Sequence, residues 1–151
     1  MNENTWTGKV SMRITRGFLV VPIQMELTDE AASDIKKAIL EKIHQKGVKG
    51  VLIDLSEVEI ADSFLGTSIR DIGRMAKLLG ATSVITGIKP GVAASLVDLE
   101  VEFGDLPTVL SMEDGYQVLA ESTESGNASG DNGNHNTIDD LENNKAGETL
   151  D

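Results

Sequence analysis

Residues 50–86 read GVLIDLSEVEIADSFLGTSIRDIGRMAKLLGATSVIT, and the hydrophobic period changes twice within this run. Gly50 to Leu55 is an apolar block interrupted only by Asp54, as expected of a buried strand. From Asp62 the apolar positions Leu65, Ile69, Ile72, Ala76 and Leu79 recur at three and four residues, with Phe64, Ser68 and Met75 beside them. That spacing predicts an amphipathic helix, and Gly80 ends it. Thr82 to Thr86 then predicts another strand.

The same alternation continues on both sides. Upstream, Thr28 or Asp29 caps a helix through about Gln45, with Ile35, Ile39 and Ile43 on one face and Gly47 as its stop. Before it, Arg13 to Thr15 and Phe18 to Ile23 predict a strand pair turning at Arg16-Gly17. Downstream, Pro90 opens a short helix carrying Val92, Ala93, Leu96 and Val97. Thr108 to Leu110 suits a last short strand, and Met112 to Ala120 a final helix capped by Ser111. This order predicts an α/β (α+β) fold, a single mixed sheet with four helices packed mainly on one side.

The chain has 151 residues, enough for one domain and a remainder. We place the domain at residues 1–120 and read residues 121–151 as a disordered acidic tail, because Ile138, Leu141 and Leu150 are its sizeable apolar residues. The tail holds eight acids against Lys145 alone, so the domain carries about five of the twelve net negative charges. Such a balance argues against nucleic acid and anionic membrane as partners, since phosphates are neutralised by clustered Lys and Arg. Aromatic residues are 3% of the chain, so the core is aliphatic and base-stacking platforms are excluded. There is no cysteine, and His44 and His135 are too far apart for a local metal motif. No catalytic residue, metal or cofactor is expected. The N-terminus lacks a signal-peptide pattern and no run suits a membrane span, so a cytoplasmic location is expected.

Asp54 at a strand end invites a phospho-accepting aspartate reading, but the acid pair that would hold magnesium is absent from Pro22-Ile23-Gln24-Met25-Glu26. Lys89-Pro90 imitates the matching lysine, with no strand between Thr86 and Lys89. The preferred role of Asp54 is to accept backbone N–H bonds from the following loop. Glycine-rich phosphate cradles are absent, and His44 reads as an exposed helix residue. The segment Ile60-Ala61-Asp62-Ser63-Phe64-Leu65-Gly66-Thr67 is more informative, since Asp62 or Ser63 caps the long helix. A serine hydroxyl at a helix N-terminus is also a place where a phosphate meets free N–H groups.

Several segments together resemble the STAS domain, the fold of bacterial anti-sigma factor antagonists, and most of all the RsbS-type antagonist of the stressosome. They are Leu19-Val20-Val21-Pro22-Ile23-Gln24 with Glu26-Leu27, the strand from Gly50 to Ser56, Asp62-Ser63-Phe64, Lys77-Leu78-Leu79-Gly80-Ala81, and Thr86-Gly87-Ile88-Lys89-Pro90-Gly91-Val92-Ala93. The resemblance spans Met12 to Ala120. It implies a non-enzymatic, phosphorylation-controlled interaction protein in a bacterial stress-response or sigma-factor pathway. The unphosphorylated form, assembled with itself and with sensor-bearing co-antagonist STAS proteins in a large complex, would hold a serine/threonine switch kinase. Phosphorylation of Ser63 would release it. Asp62, Phe64, Thr86 and Gly87 would flank the phosphosite and meet the partner. Ser95 falls near a second phosphorylated position of the co-antagonists, although the adjoining Ala93 and Ala94 favour packing there. Leu65-Gly66-Thr67 leans towards the general anti-anti-sigma pattern, which keeps open a monomeric antagonist of a sigma-sequestering kinase. A small-ligand-binding STAS module is the third alternative.

Overall fold

The computed structural model describes residues 6–7, 10–23 and 28–128. Gln24, Glu26 and Leu27 of the resemblance, and the tail from residue 129 onward with His135, lie outside the described residues. Seven strands and four helices follow in the order β1 (Trp6–Thr7), β2 (Val10–Ser11), β3 (Arg13–Thr15), β4 (Phe18–Pro22), α1 (Asp29–Lys46), β5 (Gly50–Asp54), α2 (Ser63–Leu78), β6 (Thr82–Thr86), α3 (Pro90–Asp98), β7 (Thr108–Val109) and α4 (Met112–Ala128). The main sheet has the order β3-β4-β5-β6-β7. Its first pair is antiparallel and the other three are parallel, so it is mixed as expected. A separate antiparallel ribbon, β1–β2, precedes it; the sequence reading assigned no element there.

The β3–β4 hairpin closes over two residues, with Thr15 paired to Phe18. Arg16 and Gly17 both have positive φ, 55° and 82°, the backbone that matches a two-residue turn to the twist of its strands. α1 is capped by Thr28, whose hydroxyl oxygen accepts from the Ala31 N–H, and ends at Gly47 in the left-handed conformation.

Each parallel strand joins the growing edge of the sheet, and right-handed crossovers then place α1, α2 and α3 on one face. Residue alternation agrees. Leu19, Val21, Val51, Ile53 and Ile85 share a core with Ile35 and Ile39 of α1, Leu65, Ile69 and Ile72 of α2, and Val92 and Leu96 of α3. The register aligns Val20, Leu52 and Val84 in a row on the other face, where Tyr116 and Leu119 of α4 cover them. Three helices against one is the expected arrangement.

Some boundaries differ from the sequence reading. α4 runs eight residues past Ala120, to Ala128. Its added turns contain no large apolar residue, so hydrophobic periodicity cannot report them; Gln117 pairs with Glu121, and the Thr123 hydroxyl donates to the Leu119 carbonyl. Leu110 lies outside β7 and is 91% exposed. On α3, Val92 and Leu96 are buried, whereas Ala93 and Val97 face solvent. Leu79 is the C-terminal cap of α2 and is exposed.

The segment 101–107 runs along α2. A Cβ on Gly66 would lie 2.1 Å from Val101 Cγ1, and one on Gly73 would lie 2.6 Å from Leu106 Cδ2. Two glycines spaced seven residues apart, about 10 Å of helix, therefore make the notch that receives these side chains. The β3–β4 turn grips α4 at Arg16, whose guanidinium lies 4.6 Å from the Tyr116 ring centroid and 3.0 Å from Glu113 Oε1.

Gly66→Ala should lower unfolding free energy by up to about 2 kcal/mol. Overpacking costs about 1–3 and the helix gains about 1 from losing glycine; denaturant titration should show recovery in the Gly66→Ala, Val101→Ala double variant. Hydrogen bonding and charge from Arg16 hold the Glu113 carboxyl below its ordinary range, and the same pair raises Arg16. The pair's contribution is thus present above the ordinary carboxylate range and fades as pH falls through the depressed Glu113 value. Both groups are solvent-exposed, so the pair adds little to stability. Carboxyl chemical shifts should show Glu113 titrating at higher pH in Arg16→Met.

Candidate functional site

In a parallel sheet the loops leaving the carboxyl ends of the strands gather at one edge, and the candidate residues meet there. β5 ends at Asp54 and β6 at Thr86, which are register partners. The ladder persists one step beyond them: the Ile23 N–H donates to the Asp54 carbonyl and the Leu55 N–H to the Thr86 carbonyl, both at 2.9 Å. The Asp54 side chain accepts from the Ser56 N–H at 3.0 Å, the role preferred from the sequence. Gly87 has φ +79°, and a Cβ there would lie 2.8 Å from Asp54 Oδ1 and 2.9 Å from the Ser56 nitrogen. Only glycine meets both the backbone angle and the close approach.

From this base the β5–α2 loop, residues 55–62, runs to the phosphosite candidate. Leu55, Val58 and Ala61 turn inward and are buried. Glu59 reaches across to Lys89 at the start of α3, tying the loop to its neighbour. That lysine therefore serves the loop, in a pairing with the carboxylate of Glu59.

Asp62 is the N-cap of α2: its backbone is extended, at φ −123°, and its Oδ1 accepts from the Leu65 N–H at 2.7 Å. Of the two caps left open by the sequence, Asp62 holds the position and Ser63 becomes the first helical residue. Ser63 is exposed, and its hydroxyl has no hydrogen-bond partner among the described residues. Its carbonyl accepts from the Thr67 hydroxyl at 2.9 Å, which tightens the first turn. The group presented to solvent is therefore a free hydroxyl at the positive end of a sixteen-residue helix.

The structure separates the other candidates. Phe64 joins Asp62 and Ser63 on the surface, at 36% exposure. Thr86 is 1% exposed, which corrects the expectation that it meets a partner: its carbonyl supports Leu55 from within the sheet. Gly87 is half-buried against Asp54 and Ser56 and supports the loop base in the same way. Ser95 is half-buried, and its hydroxyl donates to the Gly91 carbonyl one turn back at 3.0 Å. The packing expected of its neighbours is also corrected, since Ala93 and Ala94 are exposed while Val92 and Leu96 carry the contact. His44 is exposed, as expected.

Two residues without an assigned role in the sequence stand out here. Ile60 is 74% exposed although it lies between inward-facing Val58 and Ala61, and Glu59 holds the ion pair. The loop has no hydrophobic period, so nothing in the residue pattern distinguishes an outward isoleucine from an inward one. Among the described residues no group of three or more His, Cys, Asp or Glu gathers as a metal site. No described helix is long and apolar enough to cross a membrane. A cleft of about 190 Å³, lined in part by Gly73, Lys77, Ser83 and Leu106, lies beside the second half of α2, at least ten residues along that helix from Ser63.

Comparison with known proteins places this geometry. The STAS domain description matches residues 9–114. The chain is 30% identical over 101 residues to the RsbT co-antagonist protein RsbRD of Bacillus subtilis, covering 67% of this chain and 36% of that protein. It thus spans about a third of the length of the curated relatives it matches. The structure of Moorella thermoacetica RsbS bearing a serine-to-glutamate substitution superposes with a TM-score of 0.66 at 31% identity, over 78% of this chain and 99% of that one. A chain from a structure of the molecular architecture of the stressosome gives a TM-score of 0.65 at 32% identity, over 74% and 97%. With the family match covering well over half of its length, the chain belongs to the STAS domain family.

Proposed function

We propose that this protein is a phosphorylation-controlled antagonist of the stressosome type, a partner-switching component without enzymatic activity of its own. The observation that carries the reading is the exposed, unpartnered Ser63 hydroxyl beside its capping Asp62. In its unmodified state the domain assembles with copies of itself and with co-antagonist STAS proteins that bear sensor domains, and captures a serine/threonine switch kinase in the cytoplasm. Phosphorylation of Ser63 releases the kinase to its next client in a bacterial stress-response pathway. Supporting this reading, the chain is similar to RsbT co-antagonists, to RsbS and to a stressosome chain.

The physics of the switch is local. A phosphoserine adds nearly two negative charges next to Asp62, in a loop that also carries Glu57 and Glu59. At an exposed helix N-terminus the dipole returns only about 0.3–1 kcal/mol. A partner burying the same group must remove a dianion from water beside a carboxylate, which costs more. Binding changes while the fold stays.

Incubation with a purified serine/threonine switch kinase from the same organism should add one acid-stable phosphate by intact mass, and Ser63→Ala should abolish it. Ser63→Asp should lose kinase capture by about tenfold or more while its melting temperature stays within a few degrees of wild type. A phosphate on another residue, or an acid-labile one, would refute the serine switch. A one-to-one complex with the kinase, and no large particle when co-antagonist is added, would assign the monomeric sigma-antagonist role instead.

A further inference from the structure

Ile60 is a large apolar residue that the β5–α2 loop turns out to solvent. It is 74% exposed, three positions before Ser63, and the chain holds it outward from both sides: Val58 and Ala61 are 5% and 7% exposed, and Glu59 is tied to Lys89. A side chain bracketed by two buried neighbours and an ion pair cannot turn inward without undoing them. Phe64, on the far side of the serine, is the second large apolar group of this surface. The stretch between Lys49 and Arg70 contains no Lys or Arg but four acids, Asp54, Glu57, Glu59 and Asp62. Glu59 is paired with Lys89, and Asp54 and Asp62 accept the backbone N–H groups of Ser56 and Leu65, so of the four acids only Glu59 has a cationic partner and Glu57 has no partner among the described residues.

We infer that Ile60 is the apolar anchor of the kinase-binding face, working with Phe64 to bracket Ser63, and that the kinase surface it fits is an apolar hole rimmed by Lys or Arg. This deepens the function proposed above and rests on it. Anchor side chains in desolvated pockets carry a disproportionate share of binding energy, while the surrounding charges set steering and specificity. On this arrangement a phosphate on Ser63 would fall between the two anchors, Ile60 and Phe64.

The test is capture of the purified full-length chain by the same kinase, measured by titration for wild type, Ile60→Ser, Ile60→Leu and Leu78→Ser. Leu78 is 86% exposed at the opposite end of α2, about 22 Å along the helix from Ser63, and controls for loss of any exposed leucine or isoleucine. The expected result is affinity about tenfold or more weaker for Ile60→Ser, near wild type for Ile60→Leu and Leu78→Ser, and weaker wild-type capture as salt is raised. Ile60→Ser binding as well as wild type, or Leu78→Ser losing as much, would overturn the anchor. Salt-independent capture would overturn the cationic rim. If Ile60→Ser keeps kinase capture but loses self-association by light scattering, the side chain serves a contact between copies and the inference is wrong. Failure of the wild-type chain to bind the kinase at all would remove the underlying function together with the anchor.

Discussion

The base of the β5–α2 loop is the constraint on which the rest of the molecule turns. Two backbone hydrogen bonds extend the parallel ladder past the ends of β4, β5 and β6, and the Asp54 carboxylate holds the next N–H in line. Gly87 allows the neighbouring loop to press against that carboxylate. The loop therefore leaves the sheet in one direction, and its buried Val58 and Ala61 determine where Asp62 can cap α2. The address of Ser63 is set by main-chain pairing several residues away from it, which is why its hydroxyl needs no partner of its own.

What the sequence disclosed follows from how local each cause is. The β5-α2-β6 run was legible because burial on both faces and a helical period are written into consecutive side chains, and the capping chemistry at Asp62 or Ser63 acts within three residues. Asp54 was legible for the same reason, since its hydrogen bond spans two positions. The ribbon of Trp6–Thr7 with Val10–Ser11 was not, because two-residue strands have no period to read. The last turns of α4 were missed because a helix can continue on backbone bonds and polar i to i+4 contacts alone. Thr86 and Ile60 were misplaced or passed over because exposure depends on partners distant in sequence. Thr86 is enclosed by the sheet and helices around it, and Ile60 is turned out by its neighbours' burial and by the pairing of Glu59 with Lys89, thirty residues further on.

Rigidity and exposure are combined at this edge of the fold. α2 is anchored along its length by the 101–107 segment seated at Gly66 and Gly73, and its apolar stripe is buried against the sheet. The first residues of the helix and the outward part of the loop reach solvent, as do Arg74, Lys77 and Leu78 on the outer side of the helix. A charge added at the start of the helix would meet a surface that cannot relax by much, so it would weigh on any partner docked there more than on the fold. That separation of binding from stability suits the partner exchange proposed above.

The lone helix on the second face has a consequence for how the chain is made. β3 to β7 are adjacent in the sheet in the order in which they occur in the chain, so each strand can join an edge that already exists as it leaves the ribosome. The row Val20, Leu52 and Val84 is complete once β6 has formed, yet its cover arrives only with Tyr116 and Leu119. Until then the nascent domain presents a bare aliphatic stripe to its surroundings. The final helix thus closes the last oily face of the newborn protein, and a chain stalled before residue 112 leaves that face bare.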